Sequence, residues 1–167
     1  MDIVIANRQR TRKINRRLLK QIIRALLEKL KLETGEIGIN LVGTPEIIRL
    51  NETFLRHAGV TDVIAFDYSD SVGQASRLSH SKIPQVGDRQ DACPTLHGEI
   101  FICVDEAIRQ ARRFGTSWQS EIVRYLVHGI LHLLGFDDSD AVARCRMKRE
   151  ENRRLHEITR HFSLSKL

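Results

Sequence analysis

Two histidines four residues apart are the first groups in this chain that could do chemistry together. His128 and His132 lie in the stretch Tyr125-Leu-Val-His-Gly-Ile-Leu-His-Leu-Leu-Gly-Phe-Asp-Asp138. At that spacing both imidazoles leave one face of a helix and can reach a single metal ion. Gly135 follows three residues after His132, where a helix can end in a left-handed conformation and reverse the chain. Asp138 falls six residues after His132, positioned to be swung back to the same ion. The pattern HxxxHxxGxxD thus reads as two ligands on a helix, a turn, and a third ligand. Three protein ligands leave one position of a tetrahedral Zn²⁺ open for water, which is the catalytic arrangement; a structural site is normally closed by four ligands, mostly Cys. In zinc peptidases of the HExxH type a glutamate follows the first histidine and serves as general base. Here that residue is Gly129, which disfavours peptidase chemistry by that route.

The elements that must position these residues can be read from periodicity. Apolar residues surround most of the helix predicted from Trp118 to about Leu134, so it is expected to be central and buried, and buried histidines need partners. Thr116 and Gln119 form an expected capping box at its start. Asp2–Ala6 reads as a first strand. Asn15–Leu32, with Leu18, Leu19, Ile22, Ile23, Leu26, Leu27 and Leu30, reads as an amphipathic helix stopped by Gly35. Ile37, Ile39 and Leu41 alternate as a half-buried strand, and Thr44-Pro45-Glu46 opens a helix with Thr44 as cap. Val63–Phe66 and Ile100–Val104 are short strands, the second bounded by Gly98. Asp105 caps a helix ending at Gly115, and a last helix runs from about Asp140 to His161. These elements predict an α+β fold: a single domain over residues 1–167, with a small mixed sheet packed by helices and the metal motif at the C-terminal end of a central helix. The segment of about 69–96, rich in Ser, Gly and Pro, reads as a mobile flap.

Charge adds a partner. The 167 residues carry 27 Lys+Arg against 21 Asp+Glu, a formal net charge of +6. The excess is clustered. Residues 7–31 hold Arg8, Arg10, Arg12, Lys13, Arg16, Arg17, Lys20, Arg24, Lys29 and Lys31 against Glu28 alone, much of it on the helix expected at about 13–33. Residues 144–166 hold eight Lys/Arg against Glu150, Glu151 and Glu157. Such clusters fit a polyanion, because each phosphate neutralised releases counterions; solvated helix faces are the plainer alternative. Three cysteines without a CxxC pair fit a reducing, cytoplasmic compartment, and no apolar run of about 18 residues predicts a membrane span.

The motif His128-Gly-Ile-Leu-His132-Leu-Leu-Gly135-Phe-Asp-Asp138 resembles the HGxLHLxGYDH motif of the YbeY endoribonucleases, bacterial rRNA maturation factors with a metal-dependent hydrolase site. Leu50-Asn51 with Thr61-Asp-Val-Ile-Ala-Phe66 is similar to the family's LN…TDVLSF stretch, and Gly98-Glu-Ile100 to its GDI/GEI strand. The resemblance spans roughly residues 37–138. It implies one Zn²⁺ held by His128, His132 and Asp138, no organic cofactor, and single-stranded rRNA of the ribosomal small subunit, near its 3′ end, as substrate. The implied activity is a zinc-dependent endoribonuclease in rRNA processing and ribosome maturation.

Two departures from the family carry consequences. The usual third ligand is His; Asp138 is shorter and brings a negative charge, so a water at the metal is expected to be harder to ionise and activity more alkaline. The arginine that the family places shortly after LN falls here on Leu55, and its phosphate contact passes to the neighbours Arg56 and His57. Other residues read more simply. Arg124 and Glu121 share the histidine face, read as an i, i+3 ion pair ahead of a phosphate contact by Arg124; Asp137 is a candidate to orient a ligating histidine or simply faces solvent, and Cys103 is a small core residue. A non-catalytic rRNA-binding assembly factor with a structural metal, or a metallopeptidase using a base outside the motif, are the alternatives.

Overall fold

The computed structural model describes residues 1–56, 58–69 and 95–167. Among the described residues four strands and five helices follow one another as β1 (Asp2–Asn7), α1 (Arg16–Lys29), β2 (Thr34–Val42), α2 (Thr44–Leu50), β3 (Val63–Asp67), β4 (Thr95–Cys103), α3 (Val104–Phe114), α4 (Trp118–Leu133) and α5 (Ala141–His161). A π-helical turn, Asn51–Leu55, continues α2, and a 3₁₀ turn, Leu164–Lys166, follows α5. The sheet order is β1-β2-β4-β3, with β1, β2 and β4 parallel and β3 antiparallel along the edge of β4. The chain is therefore α+β with a small mixed sheet, as its pattern of elements predicts.

Alternation along the strands divides the sheet into two faces. Ile3, Ile37, Ile39, Leu41, Leu96, Ile100 and Ile102 face the main core, where they meet α1, α3, α4 and α5. On α1 that contact fully buries Leu19, Ile22, Ile23 and Leu26, each worth roughly 1.5–3 kcal/mol of apolar burial. The opposite face carries a smaller cluster, Val42, Ile64, Phe101 and Cys103, covered by Ile47 of α2. Cys103 is fully buried, as expected of a core residue.

Several punctuation marks sit elsewhere than the sequence implies. Helix α1 ends at Lys29 with Leu30 as C-cap, Lys31 (φ 57°) takes the left-handed turn, and Gly35 lies inside β2. Strand β4 is longer than predicted and contains Gly98. Gly43, not Thr44, is the N-cap of α2, and the Thr44 amide and hydroxyl both donate to Asp105 Oδ2 (2.8 and 3.0 Å). Asp105 thus caps a helix distant in sequence instead of its own, whose N-cap is Cys103. Two hydrogen bonds from Thr44 and one from the Thr11 hydroxyl hold the Asp105 carboxyl below the usual carboxylate range, against partial burial that pushes it up. Ser117 rather than a Thr116–Gln119 box caps α4, accepting from the Ser120 amide (3.1 Å), while the Thr116 hydroxyl donates to Glu121.

The expected flap falls almost wholly on residues 70–94, outside the described residues. At its margin the Tyr68 amide donates to the His97 carbonyl (2.8 Å), extending the β3–β4 pairing by one step. Among the described residues no helix is long and apolar enough to cross a membrane.

Candidate metal centre

Helix α4 packs closely on the sheet at Gly129, where any side chain would have to displace Ile100. A Cβ on Gly129 would stand 2.7 Å from Ile100 Cγ2, inside any real contact distance. The position that bears the glutamate of an HExxH peptidase is therefore pressed against β4. His128, one residue earlier, and His132, one turn later, emerge on the half-buried side of the same helix.

The chain reversal after α4 is built from backbone. Gly135 takes φ +84°, its amide donates to His132 O (2.9 Å), and the Phe136 amide donates to Leu131 O (3.0 Å). These paired bonds satisfy the last carbonyls of the helix and aim the chain back along it. An Asx turn follows, in which the Asp138 and Ser139 amides donate to Asp137 Oδ1 (2.7 and 3.1 Å). Asp138 is thereby returned to the histidines, and one donor atom each from His128, His132 and Asp138 lies within 4.8 Å of the others.

The hydrogen bonds around the two imidazoles fix which nitrogens face each other. His132 donates from Nδ1 to the Phe136 carbonyl (3.0 Å), and His128 donates from Nδ1 to Glu151 Oε1 on α5 (2.5 Å). With each Nδ1 carrying its proton, both Nε2 atoms present lone pairs, and they stand 2.8 Å apart. Two lone pairs at that separation repel unless a positive charge lies with them, either a proton or a cation. Adding the Asp138 carboxylate gives the N₂O donor set that suits a divalent ion such as Zn²⁺. The residues present fit a metal. Burial disfavours the charged form of both histidines. Glu151, by hydrogen bond and charge and with help from Asp62 and Asp138, nevertheless raises the pKa of His128. His132 is lowered by burial and by the charge of His128.

Glu151 is the residue that sequence reasoning missed. It is buried (5% exposed) and its other oxygen lies 3.8 Å from both Arg124 and Lys148. A carboxylate on the second nitrogen of a ligating histidine fixes its tautomer and raises its basicity. Its signal was available: on α5 the buried stripe runs Met147, Glu151, Leu155, Ile158, and a lone acid on an apolar stripe needs a partner. Asp137, the orienter expected from sequence, instead holds the Asx turn. Arg124 does pair with Glu121 at 3.5 Å, as its spacing implies.

The cluster opens into a cleft of about 440 Å³ lined by His128, Asp138, Ala141, Arg144, Cys145, Met147, Lys148 and Glu151. Arg56 is not among these residues. It is exposed and caps the π-helical turn with a left-handed backbone (φ 55°); His57 lies outside the described residues. Leu55, in the family's arginine column, is 46% exposed.

A family model described as "Endoribonuclease YbeY" matches residues 4–159. The chain belongs to the YbeY endoribonuclease family. Relatives of that name include one from Finegoldia magna, 32% identical over 162 residues and covering 95% of this chain and 94% of the relative. Another, from Elusimicrobium minutum, is 34% identical over 141 residues, covering 84% and 87%. The solution structure of TM1509 from Thermotoga maritima superposes with a TM-score of 0.57 over 93% of this chain and 88% of that one, at 23% identity, which shows a shared fold. Within this YbeY framework His128, His132 and Asp138 are the chain's one candidate metal cluster among the described residues.

Proposed function

We propose that this chain is a Zn²⁺-dependent single-strand endoribonuclease of the cytoplasm that acts in rRNA processing, on the 3′ end of small-subunit rRNA. The observation that carries the reading is the pair of imidazoles whose Nδ1 atoms are committed to Glu151 and Phe136 while their Nε2 atoms converge beside Asp138. His128, His132 and Asp138 hold the ion. Bound there, Zn²⁺ supplies Lewis acidity, lowering the pKa of a water and offsetting charge on phosphate oxygens.

The protein's own groups do the rest. Glu151 holds His128 in the tautomer that offers Nε2, and the Phe136 carbonyl does the same for His132. Arg56, exposed at the end of the π-helical turn, and His57 contact phosphate elsewhere on the RNA. The nucleophile is either water or the RNA's own 2′-hydroxyl, and the product ends distinguish them. A 5′-phosphate with a 3′-hydroxyl marks water; a 2′,3′-cyclic phosphate marks the hydroxyl.

Two observations favour this reading over its alternatives. Three ligands beside an open cleft leave room for substrate, unlike a closed structural site. The position of a peptidase glutamate is filled by backbone against Ile100. Incubating the metal-loaded protein with a small-subunit rRNA 3′ fragment is expected to give discrete cleavage that chelation abolishes. Casein cleavage without RNA cleavage would overturn the proposal.

A further inference from the structure

Resting on that endoribonuclease reading, we infer that Arg144 and Lys148 of α5 are the residues that bind the RNA phosphodiester at the metal cleft. They stand four apart, so they share one face of the helix, and both line the cleft with His128 and Asp138. Their inward neighbours Met147 and Glu151 are buried, which anchors this face of α5 against the histidines.

Charge in the cleft supports the assignment. Its two carboxylates are already committed, Asp138 to the donor cluster and Glu151 to His128. A divalent ion balances them, and Arg144 and Lys148 then leave the mouth of the cleft positive, opposite to a phosphodiester. Both cations are available for that task. Among the described residues no carboxylate pairs with Arg144. The Lys148 side chain is 64% exposed and only 3.8 Å from Glu151 Oε2, a loose contact. By contrast Arg153 and Arg154 of the same helix are held by Glu150 at 2.6 and 2.7 Å. A guanidinium can take two phosphate oxygens in a planar fork while an ammonium adds a point charge beside it. Together they contact the phosphodiester at the cleft itself, separate from the phosphate assigned to Arg56 and His57.

The test measures cleavage of a single-stranded rRNA oligonucleotide by the metal-loaded protein from about 50 to 200 mM salt. The double variant Arg144→Ala/Lys148→Ala is expected to lower kcat/KM about 30-fold, mostly through KM. It should also flatten the plot of log kcat/KM against log salt by about 1.4, two phosphate contacts at roughly 0.7 each. Metal per chain stays at the wild-type level, and Arg144→Lys retains most of the affinity. The double variant Arg146→Ala/Arg149→Ala removes the same charge from the outer face and stays within about threefold of wild type. If the cleft pair behaves like the outer pair, in rate and in salt slope, the inference is overturned while the endoribonuclease reading stands. Wild-type protein that neither binds nor cuts the RNA overturns both.

Discussion

Residues 7–31 carry ten Lys and Arg and residues 144–166 carry eight, yet only the second segment sets any of them among the described residues that line the metal cleft. The difference lies in what each helix buries. Helix α1 presents an unbroken apolar stripe, Leu19, Ile22, Ile23, Leu26 and Leu27, to the core and leaves Arg16, Arg17, Arg24 and Lys29 exposed. Ahead of it, Arg8 is spent on an ion pair with Glu46 (2.8 Å). Helix α5 interrupts its stripe with Glu151, which draws that face of the helix against His128 and turns Arg144 and Lys148 toward the cleft. A basic run in a sequence is thus ambiguous until its inward face is known; here one buried acid marks the run that lines the cleft.

The largest effect expected is loss of the ion itself. Chelation should reduce RNA cleavage on the order of 10³-fold, with recovery on adding back a divalent metal to wild type but not to His132→Ala. Next is Glu151→Gln, which keeps size and burial but removes the charge facing His128. It should weaken metal affinity about 10- to 100-fold, read by competition with a fluorescent chelator. Unchanged affinity would mean that α5 only packs against the site and would break the contrast between the helices. A matched pair sharpens it further: Arg17→Ala/Arg24→Ala at exposed positions of α1 should change cleavage by no more than about threefold, against the far larger loss expected for the cleft pair. An equal loss from both would restore the uniform basic surface that the sequence alone implies.

The smallest effect concerns pH. In the proposed site Asp138 would bring the ion a negative charge that a neutral imidazole would not, and a water held there would be harder to ionise. Asp138→His should shift the ascending limb of the pH–rate profile toward lower pH. A profile that stays put or moves alkaline would show that the carboxylate does not bear on the ion.

Much of this site is legible in the chain because its parts are local. His128, His132, Gly135 and Asp138 sit within eleven residues, so helix geometry and one left-handed turn suffice to bring them together. The Arg124–Glu121 pair and the helix boundaries of α4 and α5 follow from the same short-range rules. What escaped reading depends on contacts far apart in sequence. Glu151 reaches His128 across 23 residues, and Asp105 caps α2 across 61. Thr44 resembles an N-cap locally, but the position is set by Gly43 and a carboxylate from another helix. The role of Gly129 illustrates the same division: its inability to act as a base is visible in the sequence, while the crowding that a larger residue would meet comes from Ile100 on β4.

Elemental analysis of purified wild-type and His128→Ala protein, paired with cleavage of a small-subunit rRNA fragment by the same samples, tests the central claim most directly. The account predicts one divalent ion per chain and RNA cleavage for wild type. For the folded variant it predicts both lost together, with helix content unchanged by circular dichroism. A variant that retains full metal, or one that loses the metal and still cuts at the wild-type rate, would contradict it.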